Sequence, residues 1–226
     1  MIEPAGALVA LQHGDSFFPS GNVAFSGGIE TLRNDGLIGD VDDVAAFICE
    51  QLRYRWARFD RPALAASHRM ADDLDRVVEV DVSVEAMSLV CDSREGSRRA
   101  GAALLIVHEK LGTPWSESYY RLVRAGRAPG HQAVVQGLVW RGVGLDEPTA
   151  SAVSAYAACV GLLSAALRLG LVGHVGCQRV LSDLRGEIVE LVAAPAPPLE
   201  EMGTGTPETD VAAMRHEVQS ARLFVT

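Results

Sequence analysis

Lysine is almost missing from this chain of 226 residues: Lys110 is the only one. Arginine therefore supplies nearly all the positive charge, and guanidinium favours planar, bidentate contacts with protein carboxylates and carbonyls. The net charge is −9 and the pI about 5.1, which disfavours nucleic acid as the main partner, since phosphate binding needs a net basic face. The two arginine groups, Arg94/Arg98/Arg99 and Arg121/Arg124/Arg127, read as solvated helix faces or protein-docking patches. No C-x-x-C pair occurs among the four cysteines, so Cys49, Cys91, Cys159 and Cys177 read as free thiols of a reducing, cytoplasmic setting. The opening MIEPAGALVALQHGDS lacks a basic n-region and reads as no secretory signal.

Known catalytic signatures are missing too. There is no G-x-x-x-x-G-K-[ST] phosphate loop, no dinucleotide fingerprint and no G-x-S-x-G elbow. His174 and Cys177, three residues apart, supply two metal ligands where a site normally needs three or four. His13, Asp15 and Ser16 lie too close in sequence to orient one another as a triad. No cofactor or metal is expected on the chain itself. These absences favour an interaction protein over an enzyme. A helical enzyme with an unseen cleft and a small-molecule-binding regulator are the alternatives.

The longest stretch without charge is residues 148–167, PTASAVSAYAACVGLLSAAL. Its length raises a membrane span, but Ala, Ser and Gly keep the apolar content thin. It reads instead as the central helix of an all-α domain, capped by Asp146 with Pro148 in its first turn, and buried on most of its surface.

Around it the periodicity is helical. Val44, Phe47, Ile48, Leu52 and Trp56 form an amphipathic stripe behind a cap at Asp40 or Asp42. Pro62 restarts a helix that ends at Met70. The β-branched run VVEVDVSV (77–84) could be a strand, but a lone strand has no partner, so a helix is preferred. Further helices are expected over 93–111, 116–125, 131–140 and 174–192. Near the start, a helix over 23–34 would contain Gly27 and Gly28, a sign of close backbone approach.

Composition changes near residue 194. Residues 1–194 read as one helical domain, a single bundle. Residues 195–226 read as a Pro/Gly/Thr linker without packed structure of its own, then a docking helix and tail on Val211, Met214, Val218 and Phe224.

Four segments, in order, carry a resemblance. Residues 18–30 read FPSGNVAFSGGIE, and residues 94–101 read REGSRRAG. Arg168-Leu169-Gly170 is followed by Gly173 and Gln178, and Arg222-Leu223-Phe224 closes the chain two residues from its end, with His131 in between. Together they resemble the urease accessory protein F family over nearly the whole chain. Asn22, Val23 and Phe25 depart from the first motif's usual residues, and Thr226 from the last. The resemblance implies an all-helical, dimerising, non-catalytic scaffold in the cytoplasm. Its implied partners are a second accessory protein (D or H), the GTPase accessory protein G and apo-urease, with nickel and GTP belonging to the GTPase and no membrane or nucleic acid involved. The implied partner-binding residues are Phe18, Pro19, Gly21, Ser26, Glu30, Arg94, Arg98, Arg222, Leu223 and Phe224. Arg222, anchored by Leu223 and Phe224, is the expected GTPase-recruiting group.

Overall fold

A computed structural model of the chain describes residues 3–15, 17–18, 27–216 and 224. The described residues are all-α, with no strand among them. In order come α1 (Pro4–Gly14), α2 (Ile29–Asn34) and α3 (Val41–Glu50), which runs through a π-helical segment (Gln51–Asp60) into α4 (Arg61–Arg69). Then follow α5 (Leu74–Met87), α6 (Cys91–Leu111), α7 (Ser116–Arg124), α8 (Gln132–Gly142), α9 (Glu147–Arg168) and α10 (His174–Ala193). A 3₁₀ turn (Leu199–Glu201) leads to α11 (Pro207–His216).

The expected caps form. Asp40 accepts from the N–H groups of Asp42 and Asp43, and Asp146 from that of Thr149 at 2.8 Å, each contributing about 1 kcal/mol. Residues 74–87 are a helix because Val77, Val80, Asp81 and Val84 share one buried face, a period no strand has.

The side chains gather into two cores. One is built by α4 to α8 with the start of α9, around Leu64, Leu105, Tyr119, Leu138 and Trp140. The other is built by α2, α3, the π segment, the rest of α9, α10 and α11, around Ile29, Ile48, Trp56, Cys159 and Leu163. Helix α9 belongs to both: Ala150 and Val153 sit in the first, Ala155 to Ala166 in the second. A polar bridge crosses there. The Trp56 indole N–H donates to Ser154 Oγ at 3.1 Å, and that hydroxyl donates to Gln136 Oε1 at 3.0 Å.

Four expectations need correcting. Helix α9 is long and apolar enough to cross a membrane, and half of its most apolar window is buried; burial therefore covers less of it than the sequence suggests. Ala157, Ala158, Gly161 and Leu162 face a cavity of about 250 Å³ between the cores. Gly27 and Gly28 precede their helix instead of lying in it, because both take positive φ (58° and 87°), which an α-helix cannot use.

The third correction concerns the linker, which is packed. Pro62 has no N–H to give the carbonyl of Arg58, four residues back. The N–H of Gly203 takes that place at 3.1 Å, and the N–H of Gly205 binds the carbonyl of Tyr54 at 2.9 Å. Met202, 3% exposed, is buried beneath this contact. The fourth is the face of α11. Val211 and Met214 are 54% and 43% exposed, whereas Ala212 and His216 point inward.

Candidate functional site

Two groups of motif residues form separate constellations. The first joins α5, α6 and α8. Ser97 and Gly101 lie one turn apart on the same face of α6. Ser97 Oγ accepts from the N–H of Gln132 at 3.1 Å and lies 3.2 Å from His131 Nδ1. At Gly101 a Cβ would overlap the carbonyl of Gly130, so only glycine admits the loop before α8. Below it Asp81, fully buried, accepts from Tyr119 Oη at 2.7 Å and from the N–H groups of Gly130 and His131 at 2.5 and 2.9 Å. Burial pushes the Asp81 carboxyl up, and these three donors oppose that shift.

Arg94 and Arg98 sit at the rim of this constellation, both on Glu85. Arg98 pairs with it closely, and Arg94 lies 3.5 Å away while donating to the Ser88 carbonyl at 3.1 Å. Glu85 also binds His131 Nε2 at 2.8 Å. Burial raises the Glu85 carboxyl, but Arg98 and His131 outweigh it, so it lies below the ordinary range. Both arginines are half-exposed and half-committed: each keeps a face toward solvent while its charge is answered within the chain.

The second constellation is a seam between the two ends of the chain. Glu30 of α2 and His216 of α11 are both buried and bind each other at 2.9 Å. Arg215 forks onto Asp35 at 2.5 and 3.1 Å, and Gln51 donates to Thr209 at 2.9 Å. Gly28 lies where a Cβ would stand 3.2 Å from the Thr209 carbonyl, and Gly27 where one would stand 2.8 Å from Leu162. At the edge of this core Arg168, the last residue of α9, stacks its guanidinium 4.1 Å above the Phe224 ring, which is itself buried.

The first, third and fourth motifs thus all contribute to the second core, through Ile29, Leu169 and Phe224. The constellation supplies no nucleophile activated by a base. What it can do is hold both chain ends in one place and present the exposed Val211 and Met214 beside them. Phe18 lies elsewhere, buried against His13 and His108. Pro19, Gly21, Ser26, Arg222 and Leu223 lie outside the described residues. Sequence reasoning missed His216. The only signal was its spacing from Ala212, four residues earlier on one face.

Comparison with known proteins settles what these motifs belong to. The UreF family model matches residues 38–185. The chain belongs to the UreF family. Relatives named urease accessory protein UreF include that of Kocuria rhizophila, 32% identical over 239 residues with all of both chains covered. Those of Trichodesmium erythraeum and Rhizobium etli are each 31% identical, covering 96% and 92% of this chain and 95% and 90% of their own. The UreF match begins after the N-terminal motif and ends before the tail, whereas the Kocuria rhizophila relative extends across the whole chain. The seam is therefore part of the length that UreF proteins share with this chain.

Proposed function

We propose that this chain is a non-catalytic scaffold of urease maturation, acting in the cytoplasm. It binds a second accessory protein (D or H) through the seam, pairs with another copy of itself in that complex, and recruits the GTPase accessory protein G. Nickel and GTP are carried by the GTPase, and apo-urease is the recipient. One observation carries this reading: residues from three motifs, as far apart as Ile29 and Phe224, pack into one core. A catalytic cluster is not what they build. Glu30 is spent on His216 and Arg168 on Phe224, so their chemistry organises chain ends for a partner. The tail arginine, Arg222, directly precedes the anchor Leu223-Phe224 and is the residue assigned to the GTPase.

Deleting the chain from its host tests the reading. Urease subunits should accumulate normally, while their nickel content and activity fall. Full activity at low nickel without the chain refutes it. A pull-down with purified partners sharpens it: Arg222→Ala should keep the second accessory protein and lose the GTPase, and Arg222→Lys should rescue poorly because a point charge lacks the planar fork.

A further inference from the structure

The first core is closed on one side by α1, a weakly held helix. Its N-cap, Glu3, makes no side-chain cap, and Leu8 and Leu11 are exposed. What α1 inserts is Val9, Ala10 and a buried imidazole, His13. That ring stacks on His108 of α6, with centroids 5.2 Å apart and planes within 18°. Phe18 packs on both, at 4.8 and 5.8 Å, and the Trp140 ring meets His13 edge-on at 6.3 Å.

The hydrogen bond of His13 fixes its neutral tautomer. His13 Nδ1 is 2.8 Å from the Val9 carbonyl, which can only accept, so Nδ1 carries a proton and, in the neutral ring, Nε2 is bare. His108 Nδ1 bonds Thr113 Oγ1 at 2.8 Å. Both Nε2 atoms are buried without a hydrogen-bond partner. A second proton on either ring would place a cation in an apolar, stacked pair.

We infer that the His13–His108 stack is an acid-operated latch: neutral rings hold α1 and Phe18 on the core, and protonation releases them. This is independent of the scaffold reading. Among the described residues the Val9 carbonyl favours a charged His13, and burial outweighs it. Just after α1 the neighbouring acid is Asp15, which accepts from the N–H of Phe17. On α6 Glu109 and Lys110 are exposed, as is Arg141 on α8. The face of α9 toward α1 lies in the uncharged stretch and offers the half-exposed phenol of Tyr156. Burial pushes both imidazoles down, His108 to about 4 with His13 adding to the shift.

The sign follows. A histidine whose folded pKa is depressed contributes its full stabilisation above its unfolded value, 6.5, and loses it as pH falls toward the folded value. Through His108 alone, opening of α1 should rise about tenfold per pH unit between those limits. Release uncovers the His108 and Trp140 face and frees Phe18, the first residue of the N-terminal motif.

Hydrogen exchange on the full chain tests this from pH 7.5 (about one unit above the ordinary histidine value) downward, corrected for intrinsic amide rates. Protection in α1 should fall with acid while that of α4 and α8 holds. His108→Phe, which keeps a ring but cannot titrate, should flatten most of the α1 response, and His13→Phe should reduce it. The latch is overturned if α1 keeps its protection until α4 and α8 lose theirs, or if both variants respond to pH as the parent does. Should either variant fail to fold, the α1 and α8 curves of the unaltered chain decide alone.

Discussion

The two cores are made differently. The first core is built mainly by α4 to α8, with Phe18, Phe59 and Met202 added from outside that run, and its helices approach until backbones touch. Gly137 on α8 lies against the Leu64 carbonyl of α4, and Gly101 on α6 against that of Gly130. Its buried polar groups, Asp81 above all, are answered by several donors. The second core is stitched from both ends of the chain. Helix α2 has only six residues, and α11 is held by side-chain pairs: Glu30 with His216, Arg215 with Asp35, Gln51 with Thr209. Backbone interlock leaves one arrangement, whereas side-chain pairs can be exchanged for a partner's. The first core is a frame, and the second holds the parts that docking can rearrange.

Gly137→Ala should show the largest effect. Alanine would favour the helix by about 1 kcal/mol, but its Cβ would collide with the Leu64 carbonyl and force α4 and α8 apart. Urea denaturation should report a net loss of about 3 kcal/mol or more. A neutral result would mean that the backbones are not interlocked.

Next comes the residue that ties the halves together. Arg61 of α4, buried, donates to the carbonyls of Leu191, Val192 and Ala194 at 2.6, 3.1 and 2.5 Å, closing the C-terminal end of α10. Burial lowers its pKa, and Glu147 opposes that. Arg61→Ala removes three bonds to carbonyls at the end of α10 and empties a buried site, and should cost about 3 kcal/mol, with exchange rising first at the end of α10. Arg61→Lys should recover less than half, since one ammonium cannot span three carbonyls.

Glu30→Gln should act locally. It removes the charge opposite His216 but keeps the volume, so α11 should open more often, by about 1–2 kcal/mol. Exchange in α11 would rise while α8 stays protected. Equal loss in both helices would merge the two cores into one cooperative unit.

Many of the helices, in both cores, were legible in the sequence. The stripe from Val44 to Trp56, the caps at Asp40 and Asp146, and the uncharged α9 are local signals, and each lies where its period puts it. The segment after residue 194 was not legible. Its Pro, Gly and Thr content marks weak local preference, yet it is placed by two carbonyls, Tyr54 and Arg58, far away in sequence. The inward face of α11 was misread for a related reason. An apolar count favours Val211 and Met214, but the seam needs a small residue against Gly28 and an imidazole against Glu30. Of the candidate site residues, Glu30 and Phe224 were singled out from motifs alone, without any physical sign of the His216 and Arg168 that they touch.

The smallest effect tests the contrast from the other side. Gly186 lies in the middle of α10, exposed, with nothing within 4 Å of the place a Cβ would occupy and with no positive φ. No neighbour demands a glycine here, so the cost of its backbone freedom has no compensating contact. Gly186→Ala should therefore stabilise the chain, by about 0.5–1 kcal/mol, through reduced entropy of the unfolded state and better helix propensity. The same substitution at Gly137 has the opposite sign because there the space is taken by another backbone. Thermal melts of the two variants side by side should move in opposite directions. If Gly186→Ala lowered the melting temperature instead, α10 would have a close neighbour on that face, such as a second copy of the chain, and dilution of the sample should then reverse the loss.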